Sequence, residues 1–417
     1  MARGTPPALS VSLDRARAHW HRKQGLAEPL SGSVEEVVAA TCWPRTLGGV
    51  DVYLAVRARV PGLKREQLDE AVAQSRLQVI PAVRGCIYLV PRAEVPLMLR
   101  IAEEQHRKRA DREHEKVGIA PTELADVGEA VLKALRKGPL STDALRKALP
   151  EGTVRGLGEK GKKVGISSTL PPALRHLEFE GKLERTLEDG RLDTERYLWR
   201  LPAKNPFTGA KVPTEAVERH ARLAATFFRQ AGPATVENFA AWTALSQRDA
   251  RAAMEKLPLV PVAVEGFAEE AWVLEEELPT LREKAPATSS LSMLAFEDGY
   301  LAFHGGPALL TDPKHHAREI PVWGNTKGGG TLGDTRYMHM RSLFDGDTLV
   351  GLWEYDPDAE AVVFGTFDKL APKRRKAVEA LAEDTACFLR DDMGHARSFA
   401  LDSEDTVRER TALVKAL

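Results

Sequence analysis

Two stretches of this chain repeat one another, and that repeat restricts the fold more than any other feature. GPLSTDALRKAL (Gly138–Leu149) and GPATVENFAAWTAL (Gly232–Leu245) share Gly-Pro, an apolar residue, Ser or Thr, a variable residue, an acid, a variable residue and Leu or Phe. Each follows an amphipathic helical pattern, LADVGEAVLKALRK in one case and VERHARLAATFFRQ in the other. Gly-Pro stops that helix, and the hydroxyl residue caps a short new one. A further helix comes next: STLPPALRHLEFEG in the first copy, SQRDARAAMEKL in the second, where Ser246 and Asp249 approximate a capping box. Both copies then close in a hairpin pattern, KLERTLEDGRLDTERYLWRL with its Asp-Gly turn and LVPVAVEGFAEEAWVLEE. Helix, helix, helix, hairpin is the order of a winged helix, a relative of the helix-turn-helix.

A less regular copy opens the chain. SVEEVVAAT, VDVYLAVRARV and LKREQLDEAVAQS read as helices, and LQVIPAVRGCIYLV as two strands turning at Arg84-Gly85. Beyond Pro286 the pattern changes: MRSLFDGDTLVGLWEYDPDAEAVVFGTF reads as three strands, and APKRRKAVEALAEDTACFLRD as a helix with Val378, Leu381, Thr385 and Phe388 on one face. The expected fold is therefore α+β and mostly helical. It has winged-helix units at 1–118, 119–210 and 211–285, followed by a C-terminal α/β cap of small sheet and helix at 286–417.

With 417 residues, 43% hydrophobic and 29% charged, the composition is that of a soluble globular protein of two to four domains. The first twenty residues hold no apolar signal-peptide core, and no window approaches ~18 uninterrupted apolar residues. Cys42, Cys86 and Cys387 are far apart and show no metal-ligand spacing. The expectation is a cytoplasmic, nucleoid-associated monomer with no membrane segment, cofactor or metal. His304, His315, His316 and His339 match no metal-site spacing and read as scattered surface histidines. Net charge is −1, but unevenly placed: residues 1–220 carry 37 Lys and Arg against 29 Asp and Glu, the remainder 22 against 31. A basic first half is what a nucleic-acid face requires, although charge also drifts along chains without function.

The ordered series LKREQLDEAVAQSRL…VRGCIYLV, GPLSTDALRKAL, LPPALRHLEFEGKLERT…RYLW, GPATVENFAAWTALSQRDARAAMEKL and FDGDTLVGLW resembles the tandem winged-helix DNA glycosylases of the AlkZ-like (YcaQ-like) family, from about Arg15 to Asp391. The resemblance implies duplex DNA held in a channel of three winged helices. It also implies excision of alkylated purines, or unhooking of crosslinks, by a monofunctional, metal-free N-glycosylase. The family's Gln-x-Gln or Gln-x-Asp motif should precede the segment here reading YLAVRAR. A gapless match puts Arg45, Thr46 and Leu47 there, a two-residue gap puts Ala40 to Trp43, and no Gln lies between Gln24 and Gln67. The family's Arg-Gly-Thr-Leu-His is Arg84-Gly85-Cys86-Ile87-Tyr88 here. LAFEDGYL, in contrast, follows the family's Leu-Pro-Ala-Phe-Asp-Pro-Tyr-Leu at Asp298, Tyr300 and Leu301.

Excision of a cationic alkylpurine needs a group that orients water and stabilises positive charge on the sugar, because the base already leaves neutral. The candidates are Asp298, at a family position, and Asp51, near in sequence to the lost motif, with Arg45 as a phosphate holder. Each carboxylate also reads as a cap or turn residue, the reading favoured for Asp51 and evenly balanced for Asp298. For DNA contact, KGKKVGISSTLPPALRHLE places Lys160, Lys162 and Lys163 in a long turn before the third helix of its unit, with Ser167, Ser168 and Thr169 as cap and spare hydroxyls. Arg175 and His176 would reach base edges, as would Gln247, Arg248 and Arg251 on the matching helix of the next unit. Arg191 and Arg84 sit at wing tips. A solvated surface is the competing account of all of these, and of the run Lys373–Lys376 in the first turn of its helix, where cations are disfavoured. The function expected is a duplex-DNA-binding repair glycosylase homologue acting on alkylated or crosslinked bases. The alternatives are a non-catalytic damage sensor or regulator, and a protein-interaction scaffold.

Overall fold

The structure, a computed structural model, describes residues 9–41, 43–194, 196–283, 289–321, 330–336, 338–400 and 402–417. Cys42 and the expected boundary at Pro286 lie outside them. Along the chain run β1 (Leu9–Val11), α1 (Leu13–Lys23), α2 (Val34–Ala40), α3 (Asp51–Arg57), α4 (Arg65–Ala73), β2 (Leu77–Pro81), β3 (Ile87–Pro91), α5 (Val95–Val117), α6 (Pro121–Leu135), α7 (Thr142–Ala148), α8 (Gly158–Val164), α9 (Leu170–Phe179), β4 (Glu184–Leu187) and β5 (Tyr197–Arg200). There follow α10 (Ala216–Ala231), β6 (Ala234–Thr235), α11 (Val236–Thr243), α12 (Gln247–Met254), β7 (Leu259–Val264), β8 (Ala271–Leu274), α13 (Leu278–Arg282), β9 (Leu291–Leu294) and α14 (Gly299–Phe303). The chain ends with β10 (Glu319–Ile320), β11 (Gly330–Thr331), β12 (Arg341–Asp345), β13 (Thr348–Asp356), β14 (Ala361–Thr366), α15 (Pro372–Cys387) and α16 (Glu404–Lys415). The fold is α+β with several small sheets. It divides into two compact units, Asp69–Thr214 and the remainder, so the cut falls inside the segment read as the first module.

In the Asp69–Thr214 unit, helices α6, α7 and α9 close on a core of Val127, Val131, Leu135, Leu145, Leu149, Leu170, Leu174, Leu177 and Trp199. The i, i+4 spacing of the α6 residues and the 3–4 spacing in α9 put these side chains on the inner faces. Ser141 caps α7 through its hydroxyl, as its position after Gly-Pro predicts, and Leu140 pairs with Trp199 across two backbone hydrogen bonds. β4 and β5 form the hairpin, and its Asp189 and Gly190 both take positive φ at the turn. β2 and β3 pair likewise, with Arg84 at φ 60 in the turn and its N–H donating to Gln105.

The lysine segment differs from expectation. Lys160, Lys162 and Lys163 are not in a turn but on α8. Glu159 in its first turn and Lys162 and Lys163 in its last complement the helix dipole, and Lys162 reaches Glu159 at 2.6 Å. The two glycines that suggested a loop have other jobs. Gly165 closes the helix at φ +74, and at Gly161 a Cβ would come within 2.2 Å of the Ile166 carbonyl oxygen.

In the other unit, α10, α11 and α12 repeat the arrangement, with Thr235 and Asn238 forming a capping box on α11 and Ser246 capping α12. Its sheet has the order β1-β7-β8-β6. β1 adds in parallel to β7, so the N-terminal strand completes the second copy's sheet, a pairing no local pattern announces. Trp20 of α1 is fully buried there, its Nε1 donating to the Pro233 carbonyl at 3.0 Å. The C-terminal sheet has the order β14-β13-β12-β9: the expected three strands turn at Asp345-Gly346 and Asp356–Asp358, and β9 joins at the edge.

Candidate functional site

The segment before α3 is held from outside its own sequence neighbourhood. Val50 N–H donates to Arg397 O at 2.8 Å and Ala400 N–H to Leu47 O at 3.0 Å. Gly49 is required at this crossing, because a Cβ would lie 2.3 Å from Arg397 O. Trp43 is buried, with its ring 6.1 Å from that of Trp242 on α11. Residues 43–51 thus have a defined place although only Asp51, the last of them, opens a regular element.

Asp51, the first residue of α3, accepts from Phe296 N–H at 2.7 Å and from Arg341 Nε and Nη2 at 3.0 and 2.9 Å. Arg341 is fully buried and also donates to Glu354 at 2.5 Å. Burial opposes its charge, but Asp51 and Glu354 outweigh burial and raise its pKa. Glu354 continues the chain of charge to Arg410 at 2.7 Å, and Arg410 to Asp402 at 2.9 Å. Asp298 caps α14 by accepting from Tyr300 N–H at 3.0 Å, and both its oxygens take the Arg59 guanidinium at 2.8 Å. Asp298 and Arg59 are buried, and Arg59 also donates to Ala55 O at 2.7 Å. The two carboxylates chosen from the sequence are thus held in bidentate ion pairs. Arg57, the other arginine of YLAVRAR, pairs with Asp384 at 2.8 Å and lies 4.6 Å from the Phe388 ring centroid.

Arg45 makes an ion pair with Glu297. Their side chains keep 24% and 10% of their exposure, more than Asp51 or Asp298. Glu297 has φ 53, a left-handed conformation that non-glycine residues rarely adopt. Its neighbours account for it, since Phe296 N–H is held by Asp51 and Asp298 by Arg59. Trp43 Nε1, Arg45 Nε and Thr46 Oγ1 are buried without a hydrogen-bond partner among the described residues. Orphaned donors at adjacent positions are unusual in a folded interior. Glu297 was missed because the family's Leu-Pro-Ala-Phe-Asp-Pro-Tyr-Leu has an apolar residue at its place. Arg341 and Glu354 carried no sequence signal.

The residues expected at DNA are distributed as follows. Gln247, Arg248 and Arg251 are exposed on α12, Arg248 with 91% of its side chain open. Lys160, Lys162 and Lys163 are exposed on α8, and so is Ser167. Ser168 and Thr169 are buried, contrary to their expected use as cap and spare hydroxyls: Thr169 gives α9 no side-chain cap and instead accepts Arg155 N–H at 3.1 Å. Folding the loop back over its own hydroxyls turns them inward. Arg175 is half-buried and pairs with Glu178 at 3.8 Å, while His176 is exposed. Arg191 closes on Asp193. Within the Lys373–Lys376 run, Arg374 pairs with Asp345 and donates to Ser289 O and Ser290 O at 2.8 and 2.9 Å. His304 is buried rather than on the surface, its ring 3.8 Å from that of Trp20. No group of His, Cys, Asp and Glu that could hold a metal occurs among the described residues, and no helix there is long and apolar enough to cross a membrane.

The sequence pattern of the family described as DNA glycosylase AlkZ-like matches residues 49–388. The chain belongs to the AlkZ-like DNA glycosylase family. The matched span of this AlkZ-like protein begins just beyond Arg45, so the divergent stretch where the glutamines were sought lies at its margin. Its fold is similar to the solved structure of Streptomyces sahachiroi DNA glycosylase AlkZ, at 21% identity and a TM-score of 0.66, over 93% of this chain and 98% of that one. Among curated protein sequences, none matches.

Proposed function

We propose that this AlkZ-like chain is a monomeric, duplex-DNA-binding N-glycosylase that excises alkylated purines, and that the Arg45–Glu297 pair is its catalytic centre. The observation that carries the reading is that pair: a partly accessible carboxylate on a strained backbone, held by the segment where the resemblance places the family's catalytic motif. Strain of this kind persists where surrounding structure imposes it, and clusters at functional sites. An alkylated purine with N7 or N3 quaternised departs with the glycosidic electron pair as a neutral base. Glu297 would stabilise the cationic sugar and orient the water that attacks C1′, taking up its proton. Arg45, paired with the Glu297 carboxylate, holds it in position.

On this reading α6–β5 and α10–β8 act as winged-helix modules, with Gln247, Arg248 and Arg251 of α12 at the base edges and the α8 lysines on the phosphate backbone. The experiment is incubation with an N7-methylguanine duplex and measurement of free base. Release by the wild type, lost in Glu297→Gln, supports the proposal. Duplex binding without release would favour the second reading, a non-catalytic damage sensor. That reading draws on the engagement of Asp51 and Asp298 in ion pairs and on the missing glutamines.

A further inference from the structure

Helices α5 and α9 border a cavity of about 550 Å³. α9 presents Pro172, Arg175, His176 and Phe179 to it, one face at i, i+3, i+4 and i+7 spacing. The deeper wall is apolar: Ala110, Ile119 and Phe179 are buried there. Two polar groups flank the Phe179 ring, with Arg175 Cζ 5.9 Å and the His106 ring 5.7 Å from its centroid.

Neither group is well served by the protein. The carboxylate near Arg175 is Glu178 at 3.8 Å, and Glu178 is already taken by Arg185 at 2.7 and 3.2 Å. The His106 ring makes no hydrogen bond to another described residue. His106 lies at an exposed position, but the protein desolvates one side of its imidazole and, with the charge of Arg175, holds it below its usual pKa; burial also lowers that of Arg175. The acids of the cavity do not relieve them, since Glu103 is held by Arg100 and Arg107 at 2.8 and 2.7 Å and Asp111 and Glu115 are exposed at the rim. An anion between Arg175 and His106 would supply the missing acceptor to both.

We propose that this cavity is a binding site for a planar aromatic ligand bearing one carboxylate or phosphate. The ring lies against Phe179 and the anion between Arg175 and His106. The volume fits, since sites for ligands of that size run roughly 300–1,000 Å³. The α9 face that the sequence assigned to base reading becomes the wall of a small-molecule site.

The test is calorimetric titration of the full chain with a purine nucleoside 5′-monophosphate, with 2-naphthoate, and with the uncharged nucleoside. Binding of either anionic probe, at least about tenfold tighter than the uncharged nucleoside and weakened about tenfold by Arg175→Gln, supports the site; which anion binds tells nucleotide from simple aryl acid. His106→Asn, at an exposed position, gives a second reading should Arg175→Gln unfold. Failure of both anionic probes to bind at millimolar concentration, equal binding of the uncharged nucleoside, or affinity unchanged in both variants overturns it.

Discussion

Asp51 and Arg341, 290 positions apart in the chain, meet as a bidentate ion pair closed off from solvent. Asp51 also holds Phe296 N–H, which sets the backbone leading into Glu297 and Asp298. Asp51, a catalytic candidate by its sequence position, thus also ties down the backbone beside Glu297, and the two roles separate experimentally.

Removing one partner of a buried pair leaves the other charge uncompensated, at a cost of about 3–5 kcal/mol. Asp51→Ala should lower stability by that amount in urea unfolding monitored by circular dichroism. Arg341→Met should do the same, because it leaves the buried Asp51 carboxylate without its guanidinium and Glu354 with Arg410 alone. A loss under about 1 kcal/mol in both would contradict the structural role.

Glu297→Gln keeps the side chain's size and an oxygen that can accept from Arg45, so the fold should stay within about 1 kcal/mol of the wild type. Base release from the N7-methylguanine duplex should fall by about a hundredfold or more. Glu297→Gly should lose activity equally while relaxing the positive φ; retained activity in the glycine variant would remove the side chain from the chemistry.

His21 and His304 are buried, and burial lowers their pKa values to about 4 and about 3. Below pH 6.5 the unfolded chain binds protons that these imidazoles refuse in the folded chain, so stability falls as pH drops from about 6.5 towards 4, by about 1.4 kcal/mol per pH unit for each. His304→Phe should flatten the fall, with the difference visible between urea midpoints at pH 7.5 and pH 5. An identical slope in the variant would show that His304 titrates freely.

Exposed arginines and lysines at DNA make affinity fall with salt. Arg248→Ala with Arg251→Ala should reduce the log–log salt slope by about two, and alanine at Lys160, Lys162 and Lys163 by about three, in fluorescence anisotropy on a duplex. A slope that either set leaves unchanged excludes its helix from the interface.

Local signals determined much of this protein. Ser141, Thr235 and Ser246 cap the helices their sequence positions predicted, and Asp345-Gly346 turns the hairpin between β12 and β13, because caps and tight turns are decided by bonds within a few residues. Tertiary structure decided the rest. The glycines around Lys160–Lys163 read as a loop, yet Gly161 is needed only because the Ile166 carbonyl packs against it. Asp51, Asp298 and Glu297 are three carboxylates with no local difference that ranks them. Their roles follow from which guanidinium arrives from 290, 239 or 252 positions away, and how much solvent is left when it does. Long-range pairing and burial set the fate of a charge, and neither is written in the few residues around it.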